Sequence, residues 1–297
     1  DDNTVATNED LSNHPERQYI PGIFAETEWA GNAMWTVLGG MRLDYYSGHG
    51  IIPSPRASVK YSLSQWTTLR TSAGTGFKIV NLFTEDHAFI TGQRAVEIEE
   101  RLDPERSWNV SANFNHIHAL WNSSGMLDID VYYTRFGNKI IADYDVPGKI
   151  IYSNANGFAE SYGMAMTFNQ QFAFPLAYNL GLNFNRATTT ALENGALSTT
   201  LIPYAPQWSG VLTINYNLTK IGVNIAYTAN ATGPMELPKV FDLDQNGEQL
   251  GAHRPIRSQA FFIQNIQITK KFQHNSMEVY GGVQNFLNYR QQESPLI

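Results

Sequence analysis

The sequence predicts an all-β protein, an antiparallel transmembrane β-barrel segment of about twelve long strands. Three observations predict this fold class. Apolar and polar side chains alternate over long runs, tight turns join these runs in pairs, and short connections between runs alternate with long ones. The predicted strands are mostly about 10 to 16 residues long, whereas strands of soluble proteins cluster near about 5 to 6 residues.

The composition suits a surface that is apolar on one side and neutral-polar on the other. Of the 297 residues, 42% are hydrophobic and only 16% are charged, against about 25% charged in a typical soluble domain. The net charge of −7 argues against a nucleic-acid partner, and the absence of cysteine excludes disulfides and thiol chemistry. No apolar run approaches the roughly 20 residues of a membrane helix, but a spanning strand needs only about 10 alternating residues.

The clearest hairpin is SPRASVKYSLSQWTTLRTSAGTGF, residues 54–77, in which Ser64 and Gln65 join two alternating runs. In its first strand one face carries Ala57, Val59 and Tyr61, and the other carries Arg56, Ser58 and Lys60. Further predicted pairs are residues 17–30 with 33–46, 105–120 with 125–140, 157–172 with 176–190, 207–217 with 220–231, and 258–271 with 276–287. Each pair is separated by only a few residues, which is typical of β-hairpins.

The connections between these hairpins are predicted to be long, at residues 47–53, 78–104, 142–156, 191–206 and 232–257. Antiparallel neighbours turn at opposite ends, so all short turns lie at one rim of the sheet and all long loops lie at the other. Transmembrane barrels have short periplasmic turns and long extracellular loops. This segregation of loop lengths is the strongest indication of a barrel.

Aromatic residues recur near both ends of the strands, where their rings can lie at the lipid headgroups. Trp29, Trp35 and Trp66 lie near short turns, and Tyr45, Tyr133 and Tyr227 lie closer to long loops. We therefore expect the apolar face to contact lipid and the polar face to line the interior of a wide barrel. Barrel closure removes the sheet edges that would leave backbone groups unpaired in hydrocarbon.

Three segments in order resemble the TonB-dependent outer-membrane receptors. SPRASVKYSLSQWTTLRTSAGTGFKIVNLFTE resembles the middle of the family's barrel, RLDPERSWN resembles its approach to the next strand, and GVQNFLNYRQ resembles the close of its penultimate strand. NLFTEDHAFITG is most similar to the branch found in Bacteroidetes-type bacteria. The resemblance implies a 22-stranded plugged barrel, of which residues 1–297 would be the C-terminal part, without the plug domain, the N-terminal strands and the final strand.

The resemblance also implies a function without enzyme chemistry or a cofactor, in the bacterial outer membrane. Extracellular loops would bind a scarce nutrient, most commonly a ferric siderophore or another metal chelate, for active uptake. The implied partners are outer-membrane lipid, the chain's own plug domain and remaining barrel strands, and the TonB complex, which acts on the plug. The sequence itself contains no GxxxxGK[ST], HExxH or nucleophile-elbow motif.

Candidate ligand-binding residues lie in the longest predicted loop, where a carboxylate–imidazole group could bind a metal chelate; they are Glu85, Asp86, His87 and Arg94. A weaker candidate is a calcium site, since oxygen ligands alternate in FDLDQNGEQL at Asp242, Asp244, Asn246 and Glu248. His116 and His118 have the spacing of a metal pair, but their position near a short turn favours a structural role.

The cations of the polar face are candidates for contacts with the plug; they are Arg42, Arg56, Lys60 and Arg70. The alternative is charge pairing within the barrel wall, with Asp44, Asp128 or other carboxylates. Two other functions stay open from the sequence. A passive outer-membrane porin would share the alternation and the loop asymmetry, and a soluble β-rich adhesin or glycan-binding module would bury its apolar faces against a second sheet.

Overall fold

A computed structural model describes residues 19–79, 95–98, 102–120, 122–143, 149–154, 157–193, 196–237, 241–243, 249–252, 257–272 and 277–290. Its strands are β1 (Gly22–Ala30), β2 (Trp35–Tyr46), β3 (Gly50–Ser62), β4 (Thr67–Lys78), β5 (Ala95–Ile98), β6 (Glu105–Leu120), β7 (Ser123–Phe136), β8 (Ile140–Asp143), β9 (Lys149–Asn154), β10 (Gly157–Gln171), β11 (Leu176–Glu193), β12 (Ala196–Leu201), β13 (Trp208–Leu218), β14 (Val223–Thr232), β15 (Phe241–Leu243), β16 (Gln249–Ala252), β17 (Phe261–Phe272) and β18 (Met277–Val283).

Thirteen of these strands form one antiparallel main sheet. Twelve follow one another in chain order, β1-β2-β3-β4-β6-β7-β10-β11-β13-β14-β17-β18. The thirteenth, β12, pairs with the C-terminal part of β11, residues 188–193. This meander confirms the predicted all-β barrel segment of about twelve strands. Among the described residues, β1 and β18 each pair with one neighbour only.

The register places side chains on the two faces as the alternation predicts. We call the side with Arg42, Asp44 and Arg56 the polar face and the side with Val37 and Tyr61 the apolar face. The described part of the chain has only three buried hydrophobic residues: Ile52, Tyr152 and Ala159. The apolar face is thus not covered by a second sheet within the described residues, as the soluble-module alternative would require.

Local side-chain chemistry explains the short turns. The Asn32 side chain accepts hydrogen bonds from the backbone N–H groups of Met34 (2.8 Å) and Trp35 (2.9 Å), which fixes the β1–β2 turn. Gly222 follows a single 3-10 turn and has φ +62°, and a Cβ there would lie 2.7 Å from the Lys271 carbonyl oxygen. Glycine is therefore required where β13 turns into β14.

The other connections contain structure that the alternation did not predict. β5, β9 and β8 form a separate three-stranded sheet in which β5 runs parallel to β9, and β15 pairs with β16. The predicted long connection at 47–53 is wrong: β2 and β3 pair as far as Tyr46 and Gly50, leaving three residues between them. β3 begins at Gly50, four residues before the predicted hairpin, and it includes Pro53 and Pro55 although each removes one ladder donor.

None of the helical turns among the described residues is long and apolar enough to cross a membrane.

Candidate functional site

The polar face of β1 to β7, which we call the charged wall, holds ionic side chains in fixed contacts. Arg42 binds the Asp44 carboxylate through two nitrogens, with Nη2–Oδ1 at 2.7 Å and Nε–Oδ2 at 2.8 Å. Asp44 is only 1% exposed, so its charge is stabilised by this bidentate contact. The residues are two apart on one strand, and their side chains therefore point the same way.

A second ion pair on the charged wall joins Arg56 of β3 to Glu26 of β1, across the intervening strand. Gly40 lies between them on β2, and a Cβ there would be 3.2 Å from the Arg56 Nε atom. The glycine therefore opens the path for the guanidinium. Arg56 nonetheless keeps 63% of its side chain exposed, beside an open cavity of about 530 Å³ that Ser72 and Asn109 also line.

Lys60 and Arg70 face each other in register on β3 and β4. Arg70 donates a hydrogen bond from Nη1 to Asn113 Oδ1 at 3.2 Å. Lys60 forms no ion pair with any residue that the structure describes. Directly opposed like charges are unfavourable in a sheet, so carboxylates near this pair would stabilise it.

Asn113 links this cationic region to two carboxylates. Its Nδ2 donates to Asp128 and Asp130, both at 3.0 Å, and Asn115 Nδ2 donates to Asp128 at 2.7 Å. Asp128, named from the sequence as an ion-pair partner, is therefore bound by amides. The sequence analysis missed Asn113 because its role depends on the register of β6 with β7, which alternation alone does not fix.

The polar face of β10 to β17, which we call the amide wall, is lined by neutral groups. Asn179 donates to Asn169, Tyr132 of the neighbouring β7 donates to Asn185 (2.9 Å), and Asn265 donates to Thr228 (3.2 Å). Among the described side chains of this wall the only charge is Lys271, at the end of β17 and 3.8 Å from Glu278.

The rim at the long-loop end is held by a buried carboxylate. Glu105 is 4% exposed and accepts hydrogen bonds from Lys139 Nζ (2.8 Å) and from the Ile140 N–H (3.0 Å). Asn154 accepts from the Asp103 N–H at 2.7 Å, and Asp103 contacts His49 at 3.2 Å. These contacts tie three connections together at the base of the rim. In the sequence, the only signal was the PE dipeptide within RLDPERSWN.

The other candidates from the sequence do not form a site in the described region. Glu85, Asp86, His87 and Arg94 lie outside the described residues. So do three of the four calcium candidates, while the backbone of Asp242 lies in β15. No cluster of three or more metal-ligating side chains occurs among the residues that the structure describes.

His116 and His118 project from the apolar face near a short turn. His116 Nδ1 lies 2.8 Å from Thr67 Oγ1, and His118 Nε2 lies 2.8 Å from Gln170 Oε1. Their rings stack at 6.2 Å, and His118 continues onto Phe168 at 5.8 Å. Each imidazole has a hydrogen-bond partner within the sheet, so the pair belongs to an aromatic row at the rim.

Comparisons with known proteins agree with this architecture. A variant of the ferric enterobactin receptor from Pseudomonas aeruginosa, in complex with enterobactin, aligns with 91% of this chain. The TM-score is 0.68 and the sequence identity is 16%. The FrpB iron transporter from Neisseria meningitidis aligns with 92% of the chain, with a TM-score of 0.66 and 13% identity. The siderophore receptor PirA from Pseudomonas aeruginosa aligns with 91% of the chain, with a TM-score of 0.64 and 17% identity. At these identities the likeness shows the fold.

The chain spans 40%, 40% and 43% of the length of these three structures. No curated protein sequence matches it. The family model for the TonB dependent receptor-like β-barrel matches residues 1–286, nearly the whole chain. The chain therefore belongs to the TonB-dependent receptor β-barrel family, as its three sequence segments indicated.

Proposed function

We propose that this chain is part of an outer-membrane receptor for TonB-dependent active uptake of a ferric siderophore or a similar metal chelate. The observation that carries the proposal is the family match over residues 1–286. It agrees with a sheet whose apolar face no described residue covers. Ile23 is 72% exposed and Val279 is 54% exposed, which suits contact with lipid in the outer membrane. The three structural neighbours, described as iron transporters or siderophore receptors, support an iron chelate as substrate.

The charged wall would contact a plug domain of the same receptor. Arg56, Lys60 and Arg70 project inward from adjacent strands, and Lys60 has no ion pair among the described residues. Buried charges need partners, so the proposed plug surface is acidic opposite these cations. Arg42 is bound to Asp44 and would stiffen the wall beside that surface. The 1–297 segment would supply the C-terminal strands of the barrel, with the plug and the other strands supplied by the rest of the receptor.

Substrate would bind at the long-loop end, above the rim that Glu105 holds. Glu85, Asp86, His87 and Arg94 belong to the connection that leads into Glu105, and they stay the proposed ligand contacts. Carboxylate and imidazole groups can bind a metal chelate directly or by hydrogen bonds. A calcium ion at Asp242, Asp244, Asn246 and Glu248 is a weaker proposal for a neighbouring loop.

The test is uptake of radioactive iron chelates by the source bacterium, with the gene intact or deleted, and with TonB present or absent. The proposal predicts that uptake against a gradient requires both genes. Uptake that persists without TonB, and that only follows the concentration gradient, would instead favour a passive channel. Recovery of the intact protein without detergent would favour a soluble β-rich module.

A second measurement tests the plug contact in the full-length receptor. Lys60→Glu with Arg70→Glu should weaken plug retention and raise the conductance of the receptor in planar bilayers. Lys271→Glu is the matched control, because this cation lies on the same face beside the amide wall. Equal conductance in both variants would contradict the assignment.

A further inference from the structure

The charges on the apolar face are concentrated in one place. Across the twelve main-sheet strands that run in chain order, the described side chains of this face include five charged residues: Arg106, Arg135, Glu160, Arg186 and Lys270. Lys270 lies alone near a short turn. The other four lie on the consecutive strands β6, β7, β10 and β11, toward the long-loop end. We call them the outward arginine cluster.

The register brings these four residues side by side. Arg135 lies opposite Trp108 on one side and opposite Glu160 on the other, and Arg186 lies opposite Tyr162. Four neighbouring strands span about 15 Å at their usual spacing. The cluster is therefore about as wide as the headgroup of one large membrane lipid.

The arginines are not neutralised within the described structure. Arg135 Nη1 lies 3.6 Å from Glu160 Oε1, and its guanidinium lies 3.7 Å from the centre of the Phe158 ring. Arg106 and Arg186 are exposed, and neither pairs with a carboxylate in the part of the chain that the structure describes. Three cations against one carboxylate leave a net charge of +2 on the outward surface.

The aromatic residues next to the cluster give its depth in the membrane. Trp108, Tyr133 and Tyr162 lie on the same face, one step closer to the middle of the strands, and the Trp108 and Tyr133 rings are 5.0 Å apart. Such rings lie at the boundary between hydrocarbon and headgroups. Arg106 and Arg135 lie one step beyond these rings on their strands, and Arg186 lies beside Tyr162. The cluster therefore lies at the level of the headgroups, where a planar guanidinium binds phosphate through two hydrogen bonds.

We propose that the outward arginine cluster binds the phosphate groups of a lipid headgroup in the outer leaflet. The inference rests on the proposed outer-membrane location and adds a lipid site on the surface opposite to the transport path. Arg106 and Arg186 would provide the unpaired charges at the two ends. Arg135 would be held in place between them by Glu160 and Phe158.

The experiment uses the full-length receptor reconstituted into vesicles of phosphatidylcholine mixed with either phosphorylated or dephosphorylated lipid A. Lipid retained by the detergent-extracted receptor is then counted by native mass spectrometry. The wild type should prefer the phosphorylated form. At roughly 1 kcal/mol for each basic residue near a charged membrane, the triple change Arg106→Gln, Arg135→Gln and Arg186→Gln should weaken that preference about 100-fold.

Two controls separate lipid binding from misfolding. Lys270→Gln removes an outward cation at the other end of the strands and should leave the preference unchanged. The triple Arg→Lys variant keeps the charge and should restore most of the preference lost in the triple Arg→Gln variant. Excess inorganic phosphate should not displace the lipid, since the site takes the headgroup of an embedded molecule.

The inference is overturned if the triple Arg→Gln variant keeps the wild-type preference, or if the wild type shows none while transport is normal. In both cases the cluster would face another partner, such as a protein. A receptor that never enters vesicles would overturn the proposed membrane function itself, and this outcome is recognised by the absence of any retained lipid.

Discussion

The charged wall and the amide wall line the same face of one sheet, yet they satisfy their polar groups differently. On the charged wall an ionic side chain binds a group of opposite charge, as in the bidentate contact of Arg42 with Asp44. On the amide wall, groups of the same kind bind one another, as with Asn169 and Asn179. A buried charge that loses its partner costs far more than a neutral amide that can bind water instead. The two halves should therefore differ in their tolerance of substitution.

The largest loss of stability is expected at the long-loop end of the charged wall, at the rim that Glu105 holds. Glu105→Ala removes a buried carboxylate and leaves Lys139 Nζ and the Ile140 N–H without their acceptor. We expect the free energy of unfolding of the full-length receptor to fall by about 2 to 3 kcal/mol. Chemical denaturation in detergent measures it, with Glu28→Ala as control, because the Glu28 carboxylate is exposed and forms no ion pair within the described residues. Equal losses in both variants would contradict this account of the rim.

The next comparison uses the same substitution on both walls. Asn113→Ala removes the amide that binds both Asp128 and Asp130, so the two carboxylates repel each other. We expect the free energy of unfolding to fall by about 1 to 2 kcal/mol. Asn183→Ala changes an amide-wall residue that makes no side-chain hydrogen bond with described residues, and should change stability by less than about 0.5 kcal/mol. If the two losses were the same, the distinction between the walls would have no energetic basis.

A smaller effect is expected where the walls meet. Tyr132→Phe removes the hydroxyl that donates to Asn185 at 2.9 Å and keeps the ring. One neutral hydrogen bond contributes about 1 kcal/mol to the free energy of unfolding. Ser161 also donates to Asn185, at 3.2 Å, so the amide keeps one partner and the loss should lie at or below that value. Denaturation of the Tyr132→Phe and Ser161→Ala variants, singly and together, tests whether the shared amide makes their effects non-additive.

Features that repeat regularly along one strand could be predicted from the sequence, and contacts between separate strands or connections could not. Alternation and loop lengths were enough for the hairpin at Ser64 and Gln65, because side chains of a strand repeat every two residues. The contacts of Asn113 depend on the register between two strands, and the buried state of Glu105 depends on three connections meeting. The predicted connection ends at Pro53, yet β3 includes this residue. The sequence predicts the shared face of Arg42, Arg56, Lys60 and Arg70 and names Asp44 among their possible partners, while Glu26 as the partner of Arg56 is seen only in the structure.

The smallest expected effect is the coupling of Arg56 with Glu26. Both side chains keep part of their surface in water, at 63% and 35% exposed, and an exposed ion pair contributes about 0.5 kcal/mol. A double-mutant cycle of Arg56→Ala and Glu26→Ala measures the coupling. Lys271 and Glu278, 3.8 Å apart and half exposed beside the amide wall, provide the matched pair. Both couplings should be small and should fall further as salt is raised.

A difference between these two couplings would show what covers each wall in the complete receptor. An acidic plug against the charged wall would exclude water from Arg56 and strengthen its electrostatic interactions, since the effective dielectric falls. The Arg56 coupling would then exceed that of the Lys271 pair and resist salt. Equal, salt-sensitive couplings would mean that water reaches both walls alike, and the plug contact would have to be sought away from Arg56.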